Sequence, residues 1–163
     1  MVFQTAKMPA QKRIALIAHD DRKLDLLEWA QYNRDELSQH ILYATGTTGT
    51  ILSKRLGLEV TTFMSGPMGG DQQIGSRIAE GEIDVLIFFW DPLESHPHDP
   101  DVRALLRVAV MQNIPIACNR SSADFIFSSL LMDQPYERHL YDYVTRLKRE
   151  RVIEQVRFTD ETH

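Results

Sequence analysis

The sequence predicts a single-domain α/β fold, a doubly wound (Rossmann-like) sheet of about five parallel strands with helices on both faces. Three observations predict it. Five strand-sized apolar runs recur along the chain, stretches with helical spacing separate them, and 163 residues suit one core rather than two. The runs are Ile14 to Ala18, Ile41 to Ala44, Val60 to Phe63, Val85 to Trp90 and Ile114 to Ala117. Each is nearly unbroken, as strands covered on both faces are.

The first intervening helix is marked by Leu24, Leu27 and Trp29, the second by Ile51, Leu52 and Leu56, the third by Ile74 and Ile78, and the fourth by Leu105, Leu106 and Ala109. After the fifth run, Ser121-Ser-Ala-Asp-Phe125 has the composition of a capped helix start. Repeated strand–helix units of this kind wind right-handed. Residues 1–12 read as an N-terminal arm, 13–152 as the α/β domain and 153–163 as a charged tail. From about Asp142, Val144, Leu147, Val152 and Ile153 on a charged background suggest an amphipathic closing helix, with a frayed end at Thr159 to His163. Trp90 and the phenylalanines before it read as core.

Composition narrows the function. The chain carries 18 Lys and Arg against 23 Asp and Glu, a formal charge of −5. The first 133 residues hold 12 basic and 17 acidic side chains and the last 30 hold 6 of each, so the acidic excess lies in the body of the fold. This argues against nucleic acid as a partner, which would call for a basic face. One cysteine, Cys118, excludes an internal disulfide framework and a multi-cysteine zinc site, and its place after an apolar strand reads as a small buried hydrophobe. There is no apolar signal region and no run long enough for a bilayer, so the expected location is cytoplasmic, without a membrane partner.

Ligands of open parallel sheets bind beyond the carboxyl ends of the strands. The residues there are unusually polar: His19-Asp20-Asp21-Arg22-Lys23, Thr45-Gly46-Thr47-Thr48-Gly49, Ser65-Gly66-Pro67-Met68-Gly69-Gly70-Asp71, Asp91 through His96-Pro97-His98-Asp99-Pro100-Asp101, and Asn119-Arg120-Ser121-Ser122. The Thr45 loop, small and rich in hydroxyls at a strand-to-helix turn, suits a phosphate on backbone N–H groups, or equally a set of helix caps. It is neither a Walker loop nor a Gly-x-Gly-x-x-Gly fingerprint, and no Gly-x-Ser-x-Gly elbow occurs. The Ser65-Gly66 turn at the same edge favours the phosphate, with Lys23 as counter-charge. Asp71, on a glycine-rich loop, is a candidate general base or an N-cap. His96-x-His98-x-x-Asp101 overlaps a binuclear-zinc spacing, but the further histidine of such sites is missing, so no metal is expected. A histidine oriented by a neighbouring aspartate fits His98 and His19 better. His40 and His139 read as loop histidines in water.

Four blocks, Ala44-Thr-Gly-Thr-Thr-Gly49, Ser65-Gly-Pro-Met-Gly-Gly-Asp-Gln-Gln73, Phe88-Phe-Trp-Asp-Pro92 and Pro97-His-Asp-Pro-Asp101, resemble those of methylglyoxal synthases, and the match runs from about Arg13 to Leu147. The resemblance implies a carbon–oxygen lyase that converts dihydroxyacetone phosphate into methylglyoxal and inorganic phosphate without metal or organic cofactor. It implies a homohexamer, with inorganic phosphate as product and inhibitor. By position, Asp71 matches the base and His98 the histidine that polarises the substrate oxygens. His19, Lys23, Thr45, Gly46, Thr47, Thr48, Ser65 and Gly66 match the substrate and phosphate contacts, and Asp20 and Asp101 match supporting carboxylates. Ser122 stands where threonine is expected. In relatives a C-terminal arginine reaches a neighbouring subunit's site; Arg146, Arg149 and Arg151 are the candidates here. The same fold serves as a non-catalytic effector-binding module in carbamoyl phosphate synthetase, the alternative reading, which has no use for a base such as Asp71. An isomerase or aldolase-like enzyme stopping at the enediolate is a third.

Overall fold

The computed structural model describes residues 3–94 and 99–148, with the backbone alone at residue 3 and residues 99–101. Strands β2 (Arg13–Ala18), β3 (Ile41–Ala44), β4 (Val60–Thr62), β5 (Val85–Phe89) and β6 (Ile116–Ala117) form one parallel sheet in the order β4-β3-β2-β5-β6. The five predicted runs are these five strands. β2 sits at the centre, with Ile14 beside Leu42 on one side and beside Val85 on the other.

Why the runs are unbroken is visible in the packing. Ile14, Leu16 and Ala18 enter one core with Val85, Ile87 and Phe89, while Ala15 and Ile17 enter a second with Leu86 and Phe88. Side chains alternate across a strand, so a strand buried on both faces has no polar position to offer. Helices α1 (Lys23–Tyr32), α2 (Arg34–Leu37), α3 (Gly46–Leu56) and α6 (Arg120–Phe127) supply residues to the first core through Leu26, Trp29, Leu37, Leu52, Ala123 and Phe127. Helices α4 (Gly70–Ala79) and α5 (Asp99–Met111) close the second through Ile74, Ile78, Val102, Leu105 and Ala109. The winding therefore reverses at the β2–β5 junction, the usual place for a ligand crevice.

Three local readings change. β5 ends at Phe89, and Trp90, expected in the core, is 39% exposed just past the sheet. The cap of α6 is Asn119, whose side chain accepts from the Ser122 N–H, ahead of the serines. Residues 3–8, within the N-terminal arm, form strand β1 (Phe3–Met8), paired antiparallel with β7 (Tyr136–Tyr141) in a ribbon that sequence patterning did not suggest. Residues 143–148 are helical, with Val144 and Leu147 exposed. Arg149, Arg151 and the tail lie outside the described residues.

Candidate functional site

A cavity of about 220 Å³ opens along the carboxyl edge of the sheet. Its lining includes His19, Asp20 and Lys23 beyond β2, Thr45, Thr47 and Thr48 beyond β3, Ser65, Gly66 and Asp71 beyond β4, and Glu94 beyond β5. Nine of the twelve residues singled out from the sequence thus converge on one space. Gly46 lies behind the wall, its N–H donating to the Met64 carbonyl at 3.1 Å, and a Cβ there would come within 3.0 Å of the Ser65 nitrogen. His98 and the side chain of Asp101 fall outside the described residues.

The threonine loop bears on the capping alternative at Thr45. Thr45 stands at the N-cap of α3 but makes no side-chain cap bond. The Thr48 hydroxyl, on a residue 3% exposed, has no hydrogen-bond partner among the described residues. A buried hydroxyl without a protein partner costs free energy unless a ligand or water meets it. Together with the positive end of α3, these hydroxyls suit an anion.

The turn from Met64 to Asp71 places the carboxylate. Gly69 takes φ of +107°, and Gly70 packs so close that a Cβ would stand 1.9 Å from the Met64 carbonyl oxygen. The Gly70 N–H donates to the Ser65 carbonyl at 2.9 Å and the Gln73 amide oxygen accepts from the Met64 N–H at 2.9 Å, which fixes the loop against α4. Asp71 then falls in the first turn of α4, 3% exposed, while the cap position belongs to Gly69. Its capping reading is therefore set aside. Both carboxylate oxygens of Asp71 lie 3.3 Å from where a Gly66 Cβ would be, so the carboxylate packs closely against this glycine.

Lys23 is held, not loose. Its ammonium donates to the Ala18 carbonyl at 3.1 Å and to the Asp20 carboxylate at 2.6 Å, and its side chain is 17% exposed. His19, 7% exposed, stands edge-on to the Phe88 ring at 5.2 Å, and its Nδ1 accepts from the Asp91 backbone N–H at 3.0 Å. Glu94, which sequence reasoning missed, brings a carboxylate oxygen to 3.1 Å from the same Nδ1. Its signal was its place just past β5, beside β2 at the reversal of the winding. Burial raises the Cys118 thiol above its ordinary value, in keeping with an inert side chain.

Fold and cavity define a doubly wound α/β enzyme with one small, polar, carboxylate-bearing site at its switch point. Residues 25–118 match the family model described as "MGS-like domain". The methylglyoxal synthase of Leptospira interrogans is 56% identical over 148 residues, 91% of this chain and 100% of the relative. That of Saccharophagus degradans is 57% identical over 143 residues, 88% of this chain and 93% of the relative. The crystal structure of methylglyoxal synthase from Elizabethkingia anophelis NUHP1 superposes with a TM-score of 0.84 at 50% identity, covering 89% of this chain and 95% of that one. The chain belongs to the methylglyoxal synthase family.

Proposed function

We propose that this chain eliminates phosphate from dihydroxyacetone phosphate to give methylglyoxal, with Asp71 as the base. The observation that carries the reading is the Asp71 carboxylate, buried at the start of α4 and sharing one cavity with Lys23 and the hydroxyls of the threonine loop. The substrate phosphate sits against Thr45, Thr47, Thr48, Ser65 and Gly66, and Lys23 offsets its charge. Asp71 removes a proton from the hydroxymethyl carbon. The electron pair of that C–H bond becomes the double bond of an enediolate, whose oxygens need preorganised donors because the proton is only weakly acidic. His19 and His98 supply these donors, with Asp20 and Asp101 as supporting carboxylates. The enediolate then expels phosphate from the adjacent carbon, taking the bridging oxygen with it. The enol left behind gains a proton on its terminal carbon and becomes methylglyoxal. A phosphate held out of the enediolate plane favours this elimination over reprotonation, the isomerase outcome.

A cytoplasmic homohexamer inhibited by phosphate belongs to the same reading. In support of assembly, one copy leaves Phe125 81%, Leu130 80% and Leu24 76% exposed. The test is to follow methylglyoxal and phosphate release from dihydroxyacetone phosphate. Release of both from the wild type is expected, with kcat lowered about 10²- to 10⁴-fold in Asp71→Asn. Absence of release from the folded wild type overturns the reaction. Full activity in the variant removes Asp71 from the base role.

A further inference from the structure

The edge strand of the sheet ends where the cavity begins. Among the described residues β4 pairs with β3 alone, so each outer N–H has to be met by a side chain or by water. The Phe63 N–H is turned inward and donates to the Ala44 carbonyl at 2.8 Å. Successive residues of an extended chain alternate in direction, so the next N–H, that of Met64, is turned away from β3. There the sheet ends, and the partner is a side chain. The Gln73 amide oxygen accepts from the Met64 N–H at 2.9 Å, reaching it from α4.

The backbone of Met64 is thereby tied on three sides. Its carbonyl accepts from the Gly46 N–H at 3.1 Å, at the start of α3 and inside the threonine loop. The same carbonyl packs on Gly70, where an added Cβ would stand 1.9 Å from its oxygen. Gln73 holds the N–H from a position two residues past Asp71 on the same helix. One residue therefore stands between the phosphate cradle of α3 and the carboxylate of α4.

We propose that Gln73 is a positioning residue for the elimination: by holding the Met64 N–H it sets the distance from the Asp71 carboxylate to the threonine cradle. The proposal rests on the reading of Asp71 as the base and of the threonine loop as the phosphate seat. Gln73 does not line the cavity, so it acts on the substrate through Asp71. Proton transfer from carbon depends steeply on where the base stands, and a misplacement of about 1 Å costs on the order of 10²-fold. One hydrogen bond of an exposed side chain is a small term in stability, yet here it governs that placement.

Arg77, one turn further along α4, supplies an internal control. Its guanidinium lies over the stacked Tyr43 and Phe63 rings, at 5.9 and 5.6 Å, and pairs with Glu82 at 2.8 Å. It fastens the same helix to the same edge of the sheet, one turn further from the base.

The experiment compares three variants. Gln73→Met keeps the length and helix preference but has no amide oxygen, Gln73→Glu keeps an acceptor oxygen, and Arg77→Met removes the second fastening. Each is assayed for methylglyoxal and phosphate release at a temperature where its melt shows it folded, and each is titrated with inorganic phosphate. In Gln73→Met kcat should fall about tenfold, while KM and the dissociation constant of inorganic phosphate stay within about twofold of the wild type, because the cradle keeps its Gly46 tie and the base loses its own. Gln73→Glu should recover most of kcat. Arg77→Met should melt earlier and keep the wild-type kcat. A kcat in Gln73→Met within about twofold of the wild type overturns the proposal. A loss of equal size in Arg77→Met overturns it too, since the effect is then a general loosening of α4, and so does a Gln73→Glu as slow as Gln73→Met. Position 73 is exposed, and should Met not be accepted there, Gln73→Ala answers the same question. A folded wild type that releases neither product overturns the reading of the cavity and this proposal with it, whereas release by a wild type indifferent to Gln73 overturns the proposal alone.

Discussion

At the amino end of β2, Lys12, His40 and Asp133 meet under the β1–β7 ribbon; at its carboxyl end, Lys23, His19 and Asp20 line the cavity. The residue types are the same and the settings differ. Lys12, 2% exposed, gives its ammonium to the Pro9 and Gln134 carbonyls at 2.7 and 2.6 Å, both from the backbone of its own fold. Its N–H donates to His40 Nδ1 at 2.9 Å, so the neutral His40 ring carries its proton on Nε2, which lies 3.5 Å from the Asp133 carboxylate. Glu36, His40 and Asp133 have ligand atoms within 4.8 Å of one another, a spacing that a metal ion could use. The proton on Nε2 occupies the place where an ion would bind, and the cluster is better read as a clasp. At the other end Lys23 and His19 are hydrogen-bonded too, but they line the cavity. A buried Lys–His–Asp set is therefore structural or functional according to where its donors and acceptors end, not according to its members.

Four substitutions test that contrast. The largest effect is expected at Gly66→Ala, where the new Cβ stands 3.3 Å from both Asp71 oxygens and displaces the base slightly from its position. Turnover of dihydroxyacetone phosphate should fall about 10- to 100-fold with little change in melting temperature. Lys12→Met should do the reverse. Two part-buried hydrogen bonds to the Pro9 and Gln134 carbonyls are lost, costing about 1 to 2 kcal/mol in denaturant melts, while kcat at low temperature stays at the wild-type level because the cavity lies at the far end of β2.

A smaller effect belongs to Thr48→Val. The hydroxyl has no partner among the described residues, so stability should hold or rise slightly, while KM climbs about tenfold as the substrate phosphate loses a hydrogen bond. An unchanged KM would move Thr48 from the cradle to the wall. The smallest effect concerns pH. Burial pushes His40 below its ordinary value of 6.5, with Asp133 pulling the other way and Lys12 adding to the decrease. The unfolded chain then binds more protons than the folded one just below that value, so this contribution is complete above about pH 6.5 and is lost as pH falls. Glu36, raised by burial and by Asp133, works in the opposite sense at lower pH, its contribution being lost as pH rises through its folded value. Between pH 7.5 and 5.5, the wild type should lose about 1 kcal/mol or less that His40→Asn does not lose. Parallel melting curves for the two proteins would dismiss His40 as the source.

The contrast also explains what the sequence made legible. The parallel strands could be read because burial on both faces leaves no room for polar residues, and the cavity loops because they follow those strands directly. The ribbon could not, since Phe-Gln-Thr-Ala-Lys-Met and Tyr-Glu-Arg-His-Leu-Tyr pair across more than a hundred residues and are mostly exposed. Long-range pairing of solvated strands leaves little periodic trace. His40, expected to stand in water, is instead buried with its Nδ1 accepting from the Lys12 N–H, because the ribbon that brings Lys12 and Asp133 to it was not legible. Glu94 was passed over for another reason. Its meaning lies in its distance to His19, which the adjacency of β2 and β5 creates, and neither residue carries that adjacency in its own neighbourhood.

Gly66 and Gly70 define the base by atoms they lack. One added carbon at position 66 meets the carboxylate, and one at position 70 meets the Met64 carbonyl. These two positions offer a diagnostic for chains of this fold whose chemistry is unsettled. A chain that keeps an aspartate at the start of the corresponding helix but bears a side chain at the second glycine has lost the turn that seats the base, and is expected among the binding modules.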